Sequence, residues 1–500
     1  MREARPTSRR AWMGVDIGTQ SVRVLLVDES GAVLGRGSVP LPSRRFDDGR
    51  HEQDPETWWN GFAEACQEAL AAAGPVEVAG LACCATSGTV LLVEETPTDP
   101  ARPLTPGLMY DDGRAVEEGR RIEEEPAPVW AERALRPQRS WALAKALWML
   151  RRTPPRPRMR LAHQVDLITS RLVGRPTAVD TSHALKTGAD PVDVRWPAED
   201  LRRLGLDPAL LPDLVRPGTI LGTVCPAAAE RTGLAVGVPV VAGMTDGCAA
   251  QLAAGVLRLG EWSFVLGTTT VLKGVSDRLL HDPTGALYSH RSPDDLWWPG
   301  GASNAGAGAL SAAFDLDDFP RLERLAAERE PARCLAYPLV GTGERFPFRQ
   351  PEAESFLVGA PADDEVDRFA AILQGVAFVA RLCLDHVRAL GAQVGERVVV
   401  TGGATRSAYW TQLQADVLRR EVAVPEHAEG ALGMALLAAA TETGLATAAQ
   451  RMVRPARVFQ PRTHADVFDE PYVAWVDELA RRGWIGDSLA DAARAGAVTP

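Results

Sequence analysis

From Trp12 onward the apolar and polar positions predict short strands joined by tight turns. An apolar run over 12–15 meets a turn at Asp16-Ile17-Gly18-Thr19-Gln20, a second strand covers 21–28, and after Glu29-Ser30-Gly31 a third covers 32–41. Three neighbouring antiparallel strands follow from this. The period then changes. Asp54-Pro55-Glu56 reads as a helix start, with Asp54 as cap and Pro55 at the first helical position, and Trp58, Phe62, Ala65 and Ala69 follow at helical spacing. A strand over 78–84 and further helices complete an α/β pattern.

Pro154-Pro155-Arg156-Pro157 marks a surface loop, and short helices and turns lead to an apolar strand over 238–242. Beyond it, Phe369, Ile372, Leu373, Val376, Ala380, Cys383, Val387 and Leu390 trace a long helix with a buried face. A short strand over 398–400 precedes Trp410, Leu413 and Val417, again at helical spacing. The expected organisation is a disordered tail over 1–11, a first domain over 12–242, a second domain over 243–445 and a helical appendage over 446–500. Gly18-Thr19-Gln20-Ser21-Val22 superposes on Gly267-Thr268-Thr269-Thr270-Val271, each between apolar strands. Two copies of one strand-turn-strand unit suggest a duplicated fold with an interdomain cleft, although so short an echo also arises by chance.

A chain of 500 residues, 46% of them apolar, fills two cores rather than one. The formal net charge of −11 has no basic stripe to offset it, which argues against nucleic acid or an anionic membrane as partner. Seven scattered cysteines without a CxxC pair read as reduced thiols, not a zinc site. No apolar run reaches the roughly 18 residues that span a bilayer, so a cytoplasmic protein is expected.

The glycine turns carry the first candidate chemistry. Backbone amides and hydroxyls at Gly18, Thr19, Gln20 and Ser21, and at Gly267, Thr268 and Thr269, would together clamp phosphate oxygens. Either turn alone is equally an ordinary β-hairpin. Asp16 stands where an acid would hold a water-coordinated Mg2+. No GxxxxGK[ST] loop occurs, and a strand follows each glycine where a dinucleotide fingerprint needs a helix. The turn Thr401-Gly402-Gly403-Ala404-Thr405-Arg406-Ser407 joins a strand to a helix, and its small residues would let an adenine or ribose lie against the backbone. Asp246, after the strand over 238–242, is either a helix cap or a base that accepts a hydroxyl proton during phosphoryl transfer. Asp111 and Asp112 would accept hydrogen bonds from sugar hydroxyls or form a solvated turn. The eight histidines show no ligand spacing.

Together these segments resemble the FGGY carbohydrate kinases, the sugar-kinase branch of the hexokinase, Hsp70 and actin fold (ribonuclease H-like, duplicated). The first phosphate motif is matched by Gly14 to Arg23, the second by Leu266-Gly267-Thr268-Thr269, the proton-acceptor motif by Gly243-Met244-Thr245-Asp246-Gly247, and the adenosine motif by Gly402 to Ser407 with Glu429 to Gly433. The resemblance runs from about Met13 to about Ala440. It implies an ATP-dependent and Mg2+-dependent kinase, with Asp246 as base and Asp16 and Asp246 on the metal side through water. It further implies that Arg23 joins the phosphate residues and that Gly402, Gly403, Ala404, Arg406 and Asn304 bind adenosine. Asp16, Ser87, Asp111, Asp112 and Asp246 then line the sugar site.

Within the family, Glu52 to Trp59 and Tyr110 to Arg114 look like xylulokinase segments. His163-Gln164-Val165-Asp166, Ala184 to Gly188, Tyr288 to Arg291, Gly301-Ala302-Ser303-Asn304 and Gly343 to Pro347 resemble D-ribulose kinases of plants and cyanobacteria. Xylulokinases place a histidine where Ser87 stands, whereas Thr86, Ser87 and Thr89 match the D-ribulose type, in which the serine contacts the sugar. The expected reaction is D-ribulose to D-ribulose 5-phosphate, with a D-xylulose or polyol kinase as alternative and a nucleotide-binding regulatory protein as the reading from another class. Two departures stand out: Ala404 replaces a glycine common in the adenosine motif, and Asp111 stands where xylulokinases have Asn. The expected assembly is a monomer or homodimer.

Overall fold

The computed structural model describes residues 9–359 and 364–498. Most of the expected tail, residues 1–8, lies outside that set, and Arg9 to Ala11 already belong to the first strand. The chain folds as two compact units. Residues 9–255, 290–296 and 427–454 form the first, and 256–289, 297–426 and 455–498 the second.

The first unit is built on β1 (Arg9–Ile17), β2 (Ser21–Val27), β3 (Val33–Pro40), β4 (Val76–Ala85), β5 (Ile220–Thr223) and β6 (Pro239–Val241), in the order β5-β6-β4-β1-β2-β3. β1, β2 and β3 are consecutive antiparallel neighbours, as the alternating pattern predicts, while β4 runs parallel to both β1 and β6. Helix Pro55–Ala73 starts as read: Asp54 caps it by accepting the Glu56 amide, and Trp58 and Phe62 are buried.

The second unit repeats this plan. Its strands β7 (Trp262–Leu266), β8 (Thr270–Gly274), β9 (Trp297–Ser303), β10 (Arg397–Thr401), β11 (Glu421–Pro425) and β12 (Pro455–Phe459) run in the order β9-β8-β7-β10-β11-β12 within its sheet. β7, β8 and β9 are antiparallel neighbours, and β10 is parallel to β7 and β11. Five strands in each unit therefore share one connectivity, and the Gly18 and Gly267 turns occupy the same place in it. The sixth strand differs in chain order, since β5 precedes its neighbour and β12 follows it, and the second sheet carries a seventh strand, Tyr288–Arg291, beside β9.

The unit boundaries differ from those expected at 242 and 445. Helices Asp246–Ala253 and Gly430–Thr443 lie in the first unit. The second of these presses on β1 so closely that a Cβ at Gly14 would sit 1.7 Å from the Ala431 carbonyl oxygen. Nor is the region after 445 an appendage. Tyr472, Trp475, Val476 and Leu479 form a helical stripe buried in the same core as Trp262, Phe369 and Phe378, and the Trp475 indole donates to the Ala336 carbonyl at 2.9 Å. Among the described residues one helix, Glu365–Ala389, is long and apolar enough to cross a membrane, and 94% of its most apolar window is buried in the protein. None of the seven cysteines takes part in a disulfide among the described residues.

Candidate active site

In the first unit, β1 and β4 release their chemistry at the same edge because they are parallel and in register. Asp16 pairs with Cys84 and Ile17 with Ala85. The Cys84 thiol donates to Asp16 Oδ1 at 3.5 Å, and a Cβ at Gly430 would lie 3.4 Å from the Asp16 carboxyl carbon. The Glu429–Gly433 segment, expected beside the adenosine turn, thus begins the helix that packs against Asp16. Burial, and after it the charge of Asp246, push the Asp16 carboxyl up to about 6.

Asp246 is the first residue of helix Asp246–Ala253 and is exposed, with Oδ1 accepting the Gly247 amide at 2.7 Å. The cap position itself is Thr245, so the carboxylate retains a free face. Thr245 bridges to Ala85, which fixes the approach of Asp246 to the end of β4.

A buried cluster that the sequence reading passed over holds these two strand ends together. Asp180 accepts the amides of Ser182 and His183 and bonds His183 Nδ1 at 2.6 Å. His183 Nε2 accepts the Ala85 amide at 3.2 Å, while Ser182 Oγ accepts the Thr245 amide at 3.1 Å. An imidazole that takes an amide proton at Nε2 carries its own proton on Nδ1, facing Asp180. The run of four consecutive polar residues Asp180-Thr181-Ser182-His183 was the available signal.

Ser87 follows β4, and its Oγ is buried without a hydrogen-bond partner among the described residues. Such a hydroxyl costs free energy until something pairs with it. The neighbouring Thr86 hydroxyl is satisfied by Gln164 Oε1 at 2.8 Å.

Asp111 and Asp112 part company. Asp111 bonds His51 Nδ1 at 2.5 Å and pairs with Arg45, yet its side chain remains 29% exposed. Asp112 is buried, and its carboxylate accepts the His51 amide, the Arg114 amide and two nitrogens of the Arg114 guanidinium. Contrary to the expectation of a sugar ligand, every lone pair of Asp112 is taken up in holding the turn. Lys145 supports the same turn from within, donating to the Met109 and Tyr110 carbonyls at 2.7 and 3.1 Å, and burial lowers its ammonium to about 7.

In the second unit, the edge where β7 and β10 end brings the nucleotide candidates together. Val265 pairs with Thr401, so the Gly267-Thr268-Thr269 turn and the Gly402–Arg406 turn leave adjacent strands side by side. Gly402 adopts φ +94°, a conformation L side chains avoid. Ala404 is buried in the core, so the methyl that replaces the usual glycine points inward. Asn304, just after β9, donates to the Gly343 carbonyl at 2.8 Å, and its amide bonds Glu344 at 2.7 Å. In the first unit Gly18 closes the equivalent hairpin, its amide donating to the Ser21 carbonyl at 3.0 Å, with Gln20 exposed and Arg23 on β2 opposite Asp16.

Two sheets of one connectivity, each with a glycine turn closing its first hairpin and the first with Asp16 beside that turn, belong to a recognisable pattern. Residues 11–253 match the model of the N-terminal domain of the FGGY family of carbohydrate kinases, and residues 255–442 match its C-terminal domain. The chain belongs to the FGGY family of carbohydrate kinases. This FGGY kinase is 32% identical over 448 residues to a xylulose kinase from Streptomyces rubiginosus, covering 86% of this chain and 88% of the relative. It is 24% identical over 454 residues to a gluconokinase from Bacillus subtilis, covering 85% and 86%. Among solved structures, a xylulose kinase from Rhodospirillum rubrum superposes with a TM-score of 0.84 at 26% identity, covering 95% of this chain and 99% of that one. The protein is accordingly an enzyme, a phosphotransferase that uses ATP and acts on a carbohydrate.

Proposed function

We propose that this FGGY kinase transfers the γ-phosphoryl group of ATP to the terminal hydroxyl of a free pentulose, D-ribulose best, giving D-ribulose 5-phosphate and ADP in the cytoplasm. The observation that carries the sugar assignment is the buried, unpartnered Ser87 hydroxyl at the end of β4. It offers one short donor and acceptor where a histidine would reach further into the site.

In this reading Asp246, exposed at its helix start, takes the proton from the sugar C5 hydroxyl as that oxygen bonds to phosphorus and the bond to the ADP oxygen breaks. A loose transition state needs positioning above all. The Asp180, Ser182 and His183 cluster supplies it by fixing Thr245 and Ala85. The glycine turns at Gly18 and Gly267 hold phosphate oxygens, and the Gly402–Arg406 turn, with Asn304, receives the adenosine. Asp111 offers its exposed edge to a sugar hydroxyl.

The oxygen-only pair Asp16 and Asp246 fits Mg2+, which keeps several waters and takes only one or two carboxylates beside substrate phosphates. When bound, the ion would neutralise charge on the transferring phosphoryl group. Burial first, and the neighbouring Asp246 charge after it, raise the Asp16 carboxyl, and a cation there would favour its ionised form.

Ser87→Ala tests the sugar assignment. Loss of one hydrogen bond to a neutral sugar should lower kcat/KM for D-ribulose about tenfold, lower that for D-xylulose less, and leave the KM for ATP unchanged. An unaltered ratio between the two sugars would remove Ser87 from the site. D-xylulose remains the second reading, favoured by the xylulose kinase names of relatives such as the Streptomyces protein.

A further inference from the structure

At the opposite edge of the second unit's sheet, far from its glycine turns, lies a cavity of about 410 Å3 lined by Arg381, Arg388, Arg419 and Arg420 together with Asp385. β10 and β11 are parallel and in register, with Arg397 opposite Glu421. Arg420 therefore sits where the strands begin, whereas Gly402 follows where they end. Five strand residues separate the two edges by about 17 Å, so this cavity is not part of the nucleotide site.

Positive charge is in excess there. Arg381 and Arg419 share Asp469, at 2.8 and 2.6 Å, and Arg388 pairs with buried Asp385 at 2.8 Å. Asp385 also accepts the Tyr472 hydroxyl at 2.6 Å. Arg420 has no carboxylate within ion-pair distance among the described residues: one Nη donates to the Gly395 carbonyl, and its Nε is buried with no partner. Helix ends account for two of the four cations. Arg388 lies in the last turn of Glu365–Ala389, and Arg419 caps Ala408–Leu418, where carbonyl ends favour positive charge. They do not account for Arg420, which lies between helix and strand. Burial first, and the Arg388 charge next, hold its guanidinium down at about 10, as expected for a cation lacking a counter-ion.

We propose that this cavity is a second anion site, which takes the phosphoryl group of a small phosphate ester on Arg420 and Arg388. Guanidinium forks match phosphate oxygens bidentately, and the volume falls within the range of small-ligand sites, about 300–1,000 Å3.

The test is calorimetric titration of the full chain with inorganic phosphate and, separately, with D-ribulose 5-phosphate. Both titrations are run in saturating MgADP, so that the glycine turns are already occupied. Saturable binding is expected, with a component that weakens about tenfold or more in Arg420→Gln, the loss of one charge-assisted hydrogen bond. Arg388→Gln should weaken the same component, which keeps the test valid if Arg420→Gln does not fold. Tighter Arg420-dependent binding of the sugar phosphate identifies an ester as the ligand, and equal binding identifies free phosphate. Binding unchanged in both variants, or matched by sodium chloride at the same ionic strength, overturns the proposal.

Discussion

Asp246→Asn is expected to fold and to bind ATP normally while turning over sugar about 10²- to 10⁴-fold more slowly, the usual range for loss of a general base. Asparagine keeps the shape of the side chain and can still bond near Gly247, so helix Asp246–Ala253 should begin as before. Only proton acceptance and one negative charge disappear. Because Asp246 is exposed and is not the cap residue, stability should change little. Steady-state turnover measured beside nucleotide binding separates the effects, and near-normal turnover in the folded variant would show that Asp246 only shapes the turn.

Asp16→Asn should move activity and stability in opposite directions. The wild-type carboxyl is raised from its ordinary 3.8 to about 6, so the folded state binds a proton more tightly than the unfolded chain. For such a group, stability is fully present below about 4 and is lost as pH rises through about 6. A two-unit shift corresponds to about 3 kcal/mol. The variant lacks this penalty. Without added Mg2+ it should match wild type near pH 4 and exceed it progressively up to about 3 kcal/mol by pH 7, as read from denaturant unfolding at each pH. Its Mg2+-dependent turnover should fall steeply, and Mg2+ should no longer raise its melting temperature. Parallel stability curves for the two proteins across pH 4–7 would contradict the burial of Asp16 near Asp246.

Much of this was legible in the chain because the signals are local. Asp54 and Pro55 announce a helix start by chemistry that needs no tertiary partner, and the Gly18 and Gly267 hairpins declare themselves through glycine between apolar runs. Topology then bore out the echo between them, five strands deep. The boundaries were less legible because contacts between distant segments set them. Nothing local tells Gly430–Thr443 to pack on β1, although Gly14 opposite Ala431 is its footprint. The stripe Tyr472, Trp475, Val476 and Leu479 was readable, but its burial against Phe378 was not. At the site, Asp16 and Asp246 stood out as acids beside glycines. The Asp180, Ser182 and His183 cluster did not, because its meaning lies in which backbone amides it reaches, Ala85 and Thr245, and that is fixed only once β4 and the Asp246 turn are side by side. Asp111 and Asp112 look equivalent in sequence. Arg114, two residues on, claims one of them and leaves the other.

The proposed D-ribulose activity is tested most directly by kcat/KM for D-ribulose, D-xylulose, L-ribulose and glycerol in a coupled ADP-release assay with saturating MgATP. A clear preference for D-ribulose, with D-xylulose slower and glycerol slowest, is the predicted result, and a clear preference for D-xylulose or glycerol would contradict it.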